Sequence, residues 1–265
     1  MKRKPKLGQN FLVDDRARHA IVDALGDVSQ RTVIEIGPGK GAITEILAGR
    51  CARLIALELD RELAPALAQR FAGQPQVQIV EADVLKTDLS TLIPTGETAD
   101  VIGNLPYYIT SDILLKLFDA GVAGLLDRAV VMMQREVADR VAASPGVRDY
   151  GLLSATAQMH ARIDNLFTLP PGSFSPPPEV YSTVLRFEFA PRFEALNVDA
   201  AGFDRFLKQS FAQKRKTLEN NLRAAGYTQS ELSGRWPAGI ARQARAESLE
   251  LEEMATLYHA LRGEA

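Results

Sequence analysis

From Thr32 to Ala143 short apolar runs alternate with stretches of helical periodicity, and this alternation limits the fold more than any other feature. Thr32–Ile36, Arg53–Leu57, Val77–Val80, Asp100–Gly103 and Ala129–Met133 read as strands. Apolar residues at helical spacing fill the gaps, from Ala42 to Ala48, from about Arg61 to Phe71, from Ile113 to Phe118 and from Glu136 to Ala143. Strands that alternate with helices predict an α/β fold with a parallel, doubly wound, Rossmann-like sheet. Ligands of such sheets bind beyond the carboxyl ends of the strands. Gly37, Gly39, Gly41, Glu58, Asp83 and Asn104 stand at or just past the ends of the first four strands. Packing alone gives no reason to collect glycines and polar residues on one rim.

Ahead of this region, Asp14 or Asp15 is the expected N-cap of a helix carrying Ala17, Ile21, Ala24 and Leu25, with Gly26 as its stop. After Tyr150 the alternation loosens. Leu152 to Met159 reads as helical and Ala161 to Leu169 as extended, while Phe174 to Val180 is a proline-stiffened loop. Thr183 to Phe189 alternates and reads as the last strand, and Pro191 marks a linker. Beyond about Val198 only helices are expected, so residues 1–190 form the predicted catalytic domain and 191–265 a small all-helical one.

The chain has 265 residues, of which 46% are hydrophobic and 24% charged, as in an ordinary globular protein. No apolar stretch approaches the ~20 residues that span a bilayer, and no signal peptide is read, so a cytoplasmic protein without membrane contact is expected. One cysteine, Cys51, rules out an internal disulfide, and His19, His160 and His259 are too far apart to suggest a metal site. A reduced monomer without metal is the expectation. A net charge of −2 does not announce a nucleic-acid binder, so any such binding needs local positive charge. Lys2, Arg3, Lys4 and Lys6 supply one cluster. Lys214, Arg215 and Lys216, within a basic run from Arg205 to Arg223 that reads as a helical face, supply another.

The rim residues point to a nucleotide-like ligand without fixing which. Gly37, Gly39 and Ala42 satisfy the glycine fingerprint of dinucleotide folds, and Glu58 stands where a ribose-binding acid is wanted. A nicotinamide enzyme and an S-adenosylmethionine enzyme both meet that description. Asp83 favours the latter, because an acid past the third strand can accept a hydrogen bond from an adenine amino group. Pro106 ends the fourth strand, since it cannot donate to a sheet ladder, and leaves Asn104-Leu105-Pro106-Tyr107 as a stiff loop. Its amide, backbone carbonyls and aromatic ring suit a planar base with an exocyclic amino group.

Taken in order, several stretches carry a resemblance. They are Lys6–Leu12, Glu35–Gly39, Glu58–Asp60, Asp83, Gly103–Tyr107, Phe174 with Pro176, Pro178, Val180 and Ser182, and Phe211–Thr217. Together they resemble the rRNA adenine dimethyltransferase family, on its bacterial small-subunit branch. The resemblance implies a class I S-adenosylmethionine-dependent methyltransferase sheet. It places Asn10, Leu12, Gly37, Gly39, Glu58, Asp83 and Asn104 around the cofactor. It gives Asn104, Leu105 and Tyr107 the target adenine, with Phe174 closing the pocket from the opposite side. It also implies an acceptor, two adjacent adenosines in a hairpin near the 3′ end of 16S rRNA within the 30S subunit. Leu105 favours that branch over relatives that act on large-subunit rRNA, which usually carry isoleucine or another residue there. Tyr108 departs from the small polar residue expected in many relatives. A role as an assembly factor that checks ribosomal particles competes with, or accompanies, the enzymatic one.

Overall fold

A computed structural model describes residues 10–263. In chain order the elements are β1 (Phe11–Leu12), α1 (Asp15–Asp23), β2 (Thr32–Ile36), α2 (Thr44–Leu47), β3 (Arg53–Glu58), α3 (Leu63–Arg70), β4 (Val77–Glu81), β5 (Ala99–Asn104), α4 (Thr110–Val122) and β6 (Leu126–Gln134). There follow α5 (Arg135–Val141), α6 (Leu152–His160), β7 (Ala161–Leu169), β8 (Phe174–Ser175), β9 (Ser182–Phe189), α7 (Ala200–Ser210), α8 (Leu218–Ala224), α9 (Gln229–Arg235) and α10 (Leu251–Arg262). The chain divides into two compact units. One takes the chain up to Ala138 together with Arg162–Ala190, the other Asp139–Ala161 together with the chain from Pro191.

The first unit is built on a seven-stranded sheet in the order β4-β3-β2-β5-β6-β9-β7. Strands β4 to β6 in this order run parallel, and β9 joins β6 antiparallel. Every residue of β2 and all but the last of β5 are buried, which is why both read as unbroken apolar runs in the sequence. The chain lays β3 and β4 on one side of β2, then crosses to lay β5 on the other. The switch point therefore falls between the carboxyl ends of β2 and β5, the position where such sheets open a crevice. Ile36 and Gly103 are partners there, and a Cβ added to Gly103 would stand 2.5 Å from the Ile36 carbonyl oxygen. Only glycine lets the two strands approach so closely.

At the opposite ends of these strands the fully buried Asp100 carboxylate takes Arg31 Nε at 3.2 Å and Arg128 Nη2 at 2.7 Å. Asp127 pairs with Arg31 as well and accepts Thr98 Oγ1 at 2.6 Å. A two-residue ribbon joins β1 to β8, with Leu12 opposite Phe174 and Phe11 opposite Ser175. Of the two expected caps Asp14 is the one used, accepting from Ala17 N and also from Ser173 Oγ, both at 3.1 Å. These hydrogen bonds hold its carboxyl below the usual carboxylate range. Cys51 is buried, and desolvation pushes its thiol up to about 11.

The second unit packs a helical core around Phe203, Phe206, Leu218, Leu222, Met254 and Leu257. Asp199 caps α7 through Gly202 N at 2.6 Å and also accepts from Tyr258 on α10. α9 and α10 each open with a capping box, Thr228 with Glu231 and Glu250 with Glu253. Gly263 at φ +76° closes α10 in the left-handed conformation. The segment Asp139–Ala161, which in sequence lies within the stretch expected to belong to the first domain, falls in this unit. Among the described residues no helix is long and apolar enough to cross a membrane.

Candidate active site

Four rim loops, those after β2, β3, β4 and β5, line the cavity at the switch point together with the chain before α1. The loop after β2 turns through Gly37, Gly39 and Gly41 at φ +66°, +59° and +80°, which side chains other than glycine rarely adopt. Gly39 N donates to Glu58 Oε2 and Asp60 N to Glu58 Oε1, each at 2.9 Å. The buried Glu58 carboxylate is thus fixed by two amides, yet each oxygen keeps a second acceptor site. Phe11 packs close against Gly39, and Lys40 Nζ lies 4.6 Å from the centre of the Phe11 ring.

Asn104 Nδ2 donates to the Asn10 carbonyl at 3.1 Å. Its Oδ1 is buried and has no hydrogen-bond partner among the described residues. Leu105 N bonds to Met132 O at 2.9 Å, anchoring the loop to β6, and the Leu105 side chain is core. Pro106 leads into a single 3-10 turn, Tyr107–Ile109, closed by Thr110 Oγ1 on Pro106 O at 3.0 Å. The half-buried Tyr107 hydroxyl shares a 2.9 Å hydrogen bond with Ser182 Oγ at the start of β9. Burial raises the pKa of that phenol. Asp83, half-buried, accepts from Leu85 N at 3.0 Å, with Lys86 Nζ 3.8 Å from its other oxygen.

Asn10, Leu12, Gly37, Gly39, Glu58, Asp83, Asn104, Leu105 and Tyr107 all line one cavity of about 360 Å³. Among the described residues its ionisable lining includes the carboxyls of Glu35, Glu58 and Asp83 and one cation, Lys40. Acceptors thus dominate the polar lining. Such a wall fits a ligand rich in hydroxyl and amino hydrogens and carrying positive charge.

The sequence matches the family described as Ribosomal RNA adenine dimethylase over residues 1–262. The chain belongs to the ribosomal RNA adenine dimethylase family. Among its relatives is a Ribosomal RNA small subunit methyltransferase A of Acidobacterium capsulatum, 61% identical over 261 residues that cover 98% of this chain and 92% of the relative. The protein of that name from Geobacter metallireducens is 43% identical over 260 residues, 96% of this chain and 94% of the relative. Two solved structures share the fold. A dimethyladenosine transferase from Plasmodium falciparum superposes with a TM-score of 0.76 at 22% identity, covering 93% of this chain and 95% of that one. The 23S rRNA methyltransferase ErmE gives 0.71 at 23%, covering 96% and 100%. Membership of the dimethylase family sets aside the nicotinamide alternative that the glycine fingerprint leaves open.

Several expected site residues of this dimethylase lie outside the cavity. Phe174 does not reach the lining: it is 3% exposed and packs beside Leu12 and Leu169 in the core. Pairing of β8 with β1 turns alternate side chains to opposite faces, so Ser175 is exposed while the Phe174 ring points inward. Lys214, Arg215 and Lys216 occupy the exposed turn between α7 and α8 instead of a helical face. Lys214 Nζ there donates to the Arg148 carbonyl at 2.6 Å, which brings a further exposed arginine to the basic turn. Lys2, Arg3, Lys4 and Lys6 fall outside the described residues.

Sequence reasoning gave Glu35 no role of its own. The residue is 2% exposed, lines the cavity with Glu58 and has one carboxylate oxygen without a hydrogen-bond partner among the described residues. Desolvation, with the Glu58 charge adding to it and hydrogen bonding to Thr44 opposing it, raises its pKa to about 7. The signal was available, since a lone acid inside the apolar strand Thr-Val-Ile-Glu-Ile demands a partner or a ligand.

Proposed function

We propose that this chain transfers methyl groups from S-adenosylmethionine to the 6-amino groups of two adjacent adenosines in a hairpin near the 3′ end of 16S rRNA, acting on the small ribosomal subunit. The observation that carries this reading is Asn104 Oδ1, a buried acceptor without a hydrogen-bond partner among the described residues, at the rim of a cavity lined by the carboxyls of Glu35, Glu58 and Asp83. An unpaired buried acceptor costs about 1–3 kcal/mol, a penalty that a donor on the ligand relieves. An amino group is such a donor.

The cofactor reading fits the residues present. Glu58, with a second acceptor site on each oxygen, suits the two ribose hydroxyls, and Asp83 suits the adenine amino group. Asn10, Leu12, Gly37 and Gly39 border the same space, and Lys40 is the one lining cation among the described residues for a carboxylate. When bound, S-adenosylmethionine supplies an electrophilic methyl group on a sulfonium, which is itself a good leaving group.

What remains for the protein is orientation. An adenine amino nitrogen is a weak nucleophile, because its lone pair is delocalised into the ring. Asn104 Oδ1 and the Leu105 carbonyl accept the two amino hydrogens and so direct the lone pair at the methyl carbon. Tyr107, held by Ser182, offers its ring face to a base that has left the RNA stack. The proton released from the amino group leaves to solvent. The helical unit presents Lys214, Arg215 and Lys216, with Arg148 beside them, to RNA phosphates. The protein works as a monomer, without a metal, in the cytoplasm.

The test is transfer of labelled methyl to 30S particles lacking the modification, followed by nucleoside analysis. Dimethyladenosine at two adjacent positions is the expected product. Label on 23S rRNA instead, or on neither RNA, refutes the acceptor named here.

A further inference from the structure

Six tyrosines, eleven phenylalanines and one tryptophan occur in the chain, and only two of these rings are exposed, Tyr108 at 63% and Tyr181 at 49%. Both flank the same contact. Tyr107 shares its hydroxyl hydrogen bond with Ser182; Tyr108 follows the first of these residues and Tyr181 precedes the second. Tyr108 stands on the mouth of the cavity together with Leu59, which is 44% exposed, and Val180 beside Tyr181 is 42% exposed. The Tyr181 carbonyl accepts from Arg135 N at 2.9 Å, and the Arg135 guanidinium lies 6.0 Å from the Tyr181 ring centre. One exposed ring is ordinary on a protein surface. Confinement of both exposed aromatic rings to the two sides of Tyr107 requires an explanation.

We infer that Tyr108 and Tyr181 form a stacking surface for the nucleotides on either side of the adenosine that enters the cavity. The inference rests on the proposed function and extends it from the target base to its neighbours. A base drawn out of a single-stranded loop leaves both neighbours unstacked on one face. A cavity of about 360 Å³ is near the lower limit of ligand pockets, ~300–1,000 Å³, so those neighbours must lie outside it. Aromatic rings replace lost stacking without regard to which base is present. Tyr108 meets one neighbour on the outer side of the mouth. Tyr181 meets the other on the β9 side, where Arg135 brings positive charge toward the backbone phosphate. Two adjacent acceptors raise the value of such a surface, because each adenosine becomes the neighbour while the other reacts.

Steady-state methyl transfer to 30S particles lacking the modification tests this with Tyr108→Ala, Tyr181→Ala and, at each position, Phe and Leu. Each alanine variant should raise the KM for particles about tenfold, leave the KM for S-adenosylmethionine within twofold, and melt with the wild type. Phenylalanine should restore the particle KM and leucine should not, because stacking needs a π face and general apolar contact does not. Alanine variants within twofold of wild type overturn the inference. Leucine variants as good as phenylalanine also overturn it, by pointing to an apolar contact with ribosomal protein. A wild-type enzyme that labels no particles refutes the underlying function, which is a separate and distinguishable failure.

Discussion

Asn104, the last residue of β5, and Tyr107 in the turn after it have different duties under the proposed function, so their substitutions should separate two kinds of loss. Asn104 touches both the chain before α1, through Asn10, and the cavity, whereas Tyr107 is tied to β9 through Ser182. Tyr107→Ala removes a stacking face worth ~1–3 kcal/mol and the aim that goes with it. Turnover should drop by tenfold or more while S-adenosylmethionine affinity, measured calorimetrically, stays within twofold. A large loss of cofactor affinity would contradict the assignment. Glu35 makes a prediction about pH. Its folded-state pKa is raised to about 7 from an ordinary 4.5, so between these values the unfolded chain has released a proton that the folded chain retains. Stability contributed by Glu35 is therefore full below about 4.5 and is lost as pH rises toward 7, on the order of 3 kcal/mol in all. Denaturant unfolding of wild type and Glu35→Gln across pH 4.5–7.5 should show this slope in the wild type and its absence in the variant.

At the scale of elements, the sheet separates its two ends. The rim at the carboxyl ends carries the cavity, and the Asp100 cluster with Arg31 and Arg128 ties β2, β5 and β6 at the other. Asp100→Ala leaves two guanidiniums without their buried partner. Complete burial would make that cost about 3–5 kcal/mol; both arginines are about a quarter exposed, so about 2–3 kcal/mol is expected. The melting temperature should fall by several degrees while cofactor affinity in the folded protein is unchanged. Altered affinity would show that the two ends of the sheet are coupled. The central strands were legible in the sequence because both faces of the sheet are covered there, leaving mostly apolar runs in which Glu35, inside β2, is the acid that stands out. Thr32–Ile36 is observed as expected, and the other runs gain at most three residues at an end. The β1–β8 ribbon was not legible: two residues have no periodicity, and the pairing joins positions about 160 apart in the chain. The inward turn of Phe174 was hidden for the same reason. Local spacing also identified α6 as a helix, but the unit to which a helix belongs depends on contacts that spacing does not record.

On the scale of the whole molecule, a net charge of −2 conceals a basic turn at Lys214, Arg215 and Lys216. Replacing all three with alanine should weaken RNA binding and lower the slope of log affinity against log salt by about 2–3, at roughly 0.7–0.9 for each phosphate no longer neutralised. An unchanged slope, measured by filter binding between low and moderate salt, would exclude the turn from the RNA interface. Cofactor affinity should not respond. A last consequence comes from the reversed direction of β9. Parallel strands bring only their exits to the rim, whereas β9 enters from it, so Tyr181 and Ser182 arrive there from a loop that follows no cofactor-facing strand. Under the proposed function the ribose and adenine acids of the cofactor site, Glu58 and Asp83, therefore lie in a different stretch of chain from Tyr107 and residues 180–182, and Asn104 between them faces both reagent and recipient.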